Sequence, residues 1–155
     1  DIHLSIMQSL PVTGAVVVST PQEVALADAR KGVAMFMQEA INVPVLGVVE
    51  NMAYFTPEEL PDNKYYIFGK EGAQNLASDL KIPFLGEVPL VQSIREAGDV
   101  GRPAALQEEG PLKEAFEEIT RNVVRELVVR HTDLPPTEAI KITTMAGCSA
   151  VKPKK

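Results

Sequence analysis

The residues best equipped to hold a ligand fall in three short segments, each directly after an apolar run of strand type. They are Ser19-Thr20-Pro21, Glu50-Asn51-Met52 and Val88-Pro89-Leu90. In open α/β sheets, ligands bind outside the carboxyl ends of parallel strands, so these segments are the places to look for a site. Asn51 carries an amide that both donates and accepts, which suits the edge of an adenine. The same side chain also suits a turn or cap after a strand. Pro89 offers a flat face for a base, and a proline there equally stops a strand. Thr20 and Glu23 have the spacing of a capping box, with Pro21 at the first helical position, so capping explains them.

Other chemistry is missing from the sequence. It contains no G-x-x-x-x-G-K-[ST] and no G-x-G-x-x-G, so it offers no glycine-rich loop for a phosphate. H-E-x-x-H, C-x-x-C and G-x-S-x-G are absent as well. The two histidines, His3 and His131, stand far apart, and no Ser-His-Asp arrangement is assigned. No catalytic residue and no metal ligand is expected in this chain.

The elements that position the three segments follow from periodicity. Residues 2–10 have the spacing of a short helix that Pro11 to Gly14 breaks. Ala15 to Val18, Val45 to Val49 and Phe84 to Val88 read as strands, the first as one buried on both faces. Between them, Leu26, Ala29, Val33, Phe36 and Ala40 form a helical stripe, ended by Asn42-Val43-Pro44. Ala73, Leu76, Ala77 and Leu80 form a second stripe. Residues 53–69 make a long, proline-containing connection. Leu90, Val91, Ile94 and Ala97 suit a brief helix stopped by Gly98. Pro111 opens the last helix, with Leu112, Phe116, Ile119, Val123 and Leu127 at helical spacing, and Arg125 and Arg130 in its last turns. Ala139 to Thr144 has the composition of an edge strand. Short apolar strands alternating with helices predict an α/β fold, a three-layer α/β/α arrangement with a mainly parallel sheet.

Composition narrows the function classes. A chain of 155 residues suffices for one domain with a real core. Its net charge of −6 makes it a poor nonspecific nucleic-acid binder. No apolar run reaches the roughly 20 residues of a membrane span, and the first residues form neither a basic segment nor a signal-type apolar run. The single cysteine, Cys148, rules out an internal disulfide and agrees with a reducing, cytoplasmic setting.

Taken in order, the segments resemble the Mrp/ApbC branch of the ParA/MinD ATPases. The resemblance runs through Gly14-Ala15-Val16-Val17-Val18-Ser19-Thr20-Pro21-Gln22, Val24 to Lys31, Gly47-Val48-Val49-Glu50-Asn51-Met52 and Ile67-Phe68-Gly69-Lys70-Glu71-Gly72. It continues in Gly86 to Asp99 and in Gly101-Arg102-Pro103, and so spans about residues 1–110. It implies a P-loop NTPase-like ATPase that forms a homodimer and serves as an iron–sulfur cluster carrier, using ATP and Mg and delivering to iron–sulfur client proteins. By the same likeness Asp1 matches the last residue of the switch II segment, so the phosphate loop and catalytic residues are expected upstream of it. Asn51 is expected to contact the adenine, with Pro89, Leu90 and Val91 bordering base and ribose. Asp28 and Arg30 fall on a helix near the family's dimer interface, or on a solvated face. Residues 1–131 are expected to form the C-terminal half of a ParA/MinD-like ATPase domain, partial and inactive alone, and residues 132–155 a partly flexible tail.

The sequence departs from the family at one place. The family usually carries Cys-x-x-Cys between the Asn-Met strand end and the Ile-Phe-Gly segment, where this chain has Thr56 to Asn63. Glu58, Glu59 and Asp62 are hard oxygen ligands, poorly matched to a cluster that prefers thiolates, and read as a solvated acidic loop. Cys148 gives one thiolate per chain. Two alternatives belong to other classes: a MinD- or ParA-like positioning ATPase, and an interaction module without catalysis. A membrane-targeting version is expected to end in a basic amphipathic helix, whereas Pro135, Pro136 and Pro153 interrupt this tail.

Overall fold

Three parallel strands in the order β1-β2-β3 form the middle layer of the computed structural model, which describes residues 2–57, 59–60, 62–106 and 110–139. The order of elements is α1 (Ile2–Ser9), β1 (Ala15–Ser19), α2 (Glu23–Phe36), β2 (Val45–Asn51), α3 (Gly72–Leu80), β3 (Phe84–Val88), α4 (Gln92–Asp99), a 3₁₀ turn (Ala104–Leu106) and α5 (Pro111–Asp133). Helices cover both faces, as parallel strands with apolar runs require. On one face Val48 packs with Ala73 and Ala77 of α3, joined by Val17 and by Leu26 of α2. On the other, Val49, Leu85 and Val88 pack with Ile94 of α4 and with Leu112, Phe116, Ile119 and Val123 of α5. Alternation along β2 explains the division: Val48 and Val49 point to opposite faces. Leu85 is completely buried, a contribution of about 1.5–3 kcal/mol from apolar area alone. The expected three-layer α/β/α architecture is the one observed.

The edges of several elements differ from expectation, each for a local reason. The first helix after β1 begins at Glu23 rather than Pro21, and its N-cap, Gln22, makes no side-chain capping bond. Thr20 Oγ1 donates instead to Gln22 Oε1 at 3.2 Å, so there is no capping box. That helix ends at Phe36, well before Asn42. Asn42 turns left-handed (φ 47°), and Val43 N–H donates back to the Phe36 carbonyl. The turn drops Ile41 and Val43 into a cluster with Met7 at the foot of the sheet. Burial there outweighs the helical periodicity that suggested Ala40, which lies exposed outside α2. β1 is not buried on both faces: it is an edge strand of this sheet, with Val16 39% and Val18 59% exposed, because α5 packs over β2 and β3. α4 starts after Leu90 and Val91 and passes through Gly98; the left-handed residue is Gly101. α5 runs on to Asp133, leaving Arg125 short of the last turn, where it pairs with Glu126. All but the first residue of the edge strand expected over 139–144 falls outside the described residues.

Candidate functional site

The carboxyl ends of all three strands meet on one side of the sheet, and the register joins them directly. Ser19 pairs with Glu50, and Asn51 with Val88. Two backbone bonds extend the β2–β3 contact past the strand ends: Ala53 N–H to the Val88 carbonyl (3.0 Å) and Leu90 N–H to the Tyr54 carbonyl (2.7 Å). Asn51 therefore lies across from the start of the Pro89-Leu90-Val91 segment. Pro89 is buried, while Asn51, Leu90 and Val91 are half-buried. Asn51 Oδ1 accepts from Met52 N–H at 3.0 Å, which supports the left-handed turn at Met52 (φ 56°). The turn role is thus real. It still leaves the Nδ2 donors of Asn51 without a protein acceptor among the described residues, and Oδ1 retains a second lone pair.

Next to Asn51 stands a residue to which the sequence motifs assign no role of its own. Glu50 is 2% exposed, and its Oε2 accepts from Ala73 N–H at 2.6 Å. α3 has no cap of its own, since Glu71 precedes it in a left-handed conformation without a side-chain capping bond. Glu50 supplies the missing acceptor from a neighbouring strand and places negative charge at the helix N-terminus. Burial pushes its carboxyl above the ordinary range; the Ala73 bond works the other way, and the like charges of Glu87 and Glu71 add to the rise. The signal available in the sequence was a lone acid at the end of an otherwise apolar strand, a residue type rarely buried unless paired.

The connection after Asn51 is closed by side chains. Phe55 and Tyr65 form an antiparallel bridge. Lys64 Nζ sits 3.7 Å from the centre of the Tyr54 ring and 3.4 Å from Glu87 on β3. Partial burial alone lowers the Lys64 ammonium, but Tyr54 and Glu87 outweigh it and hold the group above the ordinary lysine range. Tyr54 and Tyr66 pack edge to face at 6.5 Å. A cavity of about 530 Å³ between this connection and α4 includes Phe55, Pro57, Glu59 and Val91 in its lining. Glu59 and Asp62 are exposed, while Glu58 and Cys148 lie outside the described residues. Among the described residues no three His, Cys, Asp or Glu groups gather to hold a metal. His3 stacks edge-on against Phe36, and His131 bonds its own helix at the Leu127 carbonyl. Asp28 pairs with Lys31, and Arg30 with Asp79 across the groove between α2 and α3, all largely in solvent.

A model of the family described as ParA, NUBPL iron-transfer P-loop NTPase, matches residues 1–124. The chain belongs to that family. Among curated members, an iron–sulfur cluster carrier protein of Synechocystis is 48% identical over 70% of this chain and 30% of its own length. The iron–sulfur cluster transfer protein NUBPL of Mus musculus is 47% identical over 82% of this chain and 39% of its own. The chain thus spans between 28% and 41% of the length of these and other curated relatives. A nucleotide-binding protein of Archaeoglobus fulgidus, solved with ADP, is 40% identical over 64% of this chain and 40% of its own, with a TM-score of 0.56. MinD of Pyrococcus furiosus, 24% identical over 73% of this chain and 43% of its own with a TM-score of 0.53, shares the fold. This family membership agrees with the Mrp-type resemblance carried by the strand-end motifs. No helix among the described residues is long and apolar enough to cross a membrane.

Proposed function

We propose that this chain forms the base-side wall of the ATP site in an iron–sulfur cluster carrier of the NUBPL/Mrp type. Asn51 reads the adenine edge through Nδ2 and the free lone pair of Oδ1. Pro89, Leu90 and Val91 border base and ribose. The observation that supports this most is the pairing of Asn51 with Val88, which sets the amide opposite the Pro89 wall at the carboxyl end of a parallel sheet. The residues present fit the base half of the ligand only. No phosphate loop occurs among the 155 residues, so the phosphates, Mg and catalytic groups require residues outside them. The parent protein is then an ATP hydrolase that works in the cytoplasm as a homodimer and delivers to iron–sulfur client proteins. Residues 1–131 are its C-terminal half-domain, and residues 132–155 a tail. Iron–sulfur cargo lacks a thiolate pair here, because Cys148 is the one cysteine.

The test is Asn51→Ala in the full-length carrier. Adenine-nucleotide affinity is expected to fall about tenfold, as for one lost pair of base contacts, and the preference for ATP over GTP to shrink. Base selectivity that stays the same would leave Asn51 with its turn role alone.

A further inference from the structure

We propose that the foot of the sheet, at the end away from Asn51, holds a binding site for a small monocarboxylate with an apolar body, built on Arg130. The inference is independent of the nucleotide site. Arg130 is 6% exposed. Its Nε donates to the Thr13 carbonyl (3.1 Å), Nη1 to the Leu134 carbonyl (3.4 Å) and Nη2 to Thr137 Oγ1 (3.1 Å). All three acceptors are neutral, and no carboxylate forms an ion pair with Arg130 among the described residues. A guanidinium never loses its proton, so it is buried here as a full cation, a costly state without an opposite charge. The C-terminal end of α5 offsets part of that charge but supplies only a partial negative one. Three of the five N–H donors are used in this way, which leaves the remainder for a ligand.

A cavity meets the guanidinium at this point. It measures about 400 Å³, and its lining includes Met7, Val12, Ile41, Val43, Leu134 and Arg130. A second cavity of about 410 Å³ touches Arg130 from the side of Thr13 and His131. The first lies within the usual size range of small-molecule pockets, with Arg130 as its one cationic group and Glu138 as its one anionic group among mostly apolar walls. A carboxylate matches the planar fork of Arg130, and the apolar walls call for a hydrocarbon body behind it. A compact dianion such as phosphate would meet one cation and little else. Glu138 lines the same cavity and is the internal competitor for the guanidinium.

The experiment titrates the whole chain with octanoate, followed by amide chemical shifts around Met7, Val43 and Thr137. Half-saturation is expected at about 1 mM or below, with no matching response to octylamine. Arg130→Met should weaken octanoate about tenfold or more. That variant also removes the bonds to Thr13 and Thr137, so Glu138→Gln provides an arm that leaves Arg130 in place. It should tighten octanoate about two- to threefold by removing the competing charge. Equal binding of octylamine, displacement of octanoate by inorganic phosphate at the same concentration, or indifference to both substitutions would overturn the proposal.

Discussion

Glu50 and Asn51 are neighbours in sequence with opposite orientations and different work. Asn51 ends β2, where its amide oxygen shapes the turn at Met52. Glu50 faces inward and caps α3 through Ala73. Because burial raises the Glu50 carboxyl above its ordinary 4.5, the folded chain binds that proton more tightly than the unfolded chain. In the window between 4.5 and the raised value the native state therefore carries more protons, and stability falls as pH rises through it. Above the window the loss is complete; below 4.5 it is absent. Denaturant titrations from about pH 4.5 to about pH 7 should show this slope in the parent chain and a flatter one in Glu50→Gln, which keeps an acceptor for Ala73 but does not ionise. Equal slopes would mean that other carboxylates set the pH response. Removing the acceptor altogether in Glu50→Ala should cost about 1–2 kcal/mol, the ordinary value of a lost cap.

At the scale of elements, the contact between the β1–α2 turn and the start of α3 decides how close two strand ends come. Gly72, the first residue of α3, lies so near Pro21 that an added Cβ would stand 2.6 Å from the Pro21 carbonyl oxygen and 2.8 Å from Leu26 Cδ1. The backbone oxygen has little freedom to retreat. Gly72→Ala is thus expected to destabilise the chain by about 1–3 kcal/mol through overpacking, measured as a lower denaturation midpoint with an unchanged m-value. A neutral result would show that the α3 N-terminus shifts freely despite the Glu50 cap. The core runs of β2 and β3 and the stripes of α3 and α5 were legible in the sequence, since each buries its apolar residues in one contiguous layer. The start of α2 was not, because the helix begins two residues later than the Thr-Pro signal suggests, with Gln22 as N-cap and no side-chain capping bond. Its end was not either, because Ile41 and Val43 gain more from the Met7 cluster than from another helical turn.

At the scale of the whole molecule, the proposed nucleotide site is half of one. The proposed base wall draws on β2 and β3, yet nothing in the sequence resembles a phosphate cradle, and phosphates supply most of the recognition of ATP. Calorimetry on residues 1–155 should accordingly find ATP binding too weak for a micromolar Kd; micromolar affinity would mean that the base wall suffices by itself. The same reasoning applies to metal. Anaerobic reconstitution with iron and sulfide should leave the chain without a stable cluster, because a cluster normally needs about four thiolates and the sequence has one. A cluster lost in Cys148→Ser would show instead that two chains share it.

The sequence by itself determined the layer architecture and the family, because strand and helix periods and the strand-end motifs are local signals written in consecutive residues. It also drew attention to Asn51, whose turn role the fold bears out and whose contact with a base remains a proposal. Only the tertiary structure decided what depends on residues far apart in the chain. Glu50 serves α3 across 23 positions, Lys64 fastens its loop to Glu87 over the same separation, and Arg130 reaches Thr13 across 117. Such pairings leave no period and no motif. They arise when packing brings a charge within reach of whatever donor or acceptor the fold has placed there.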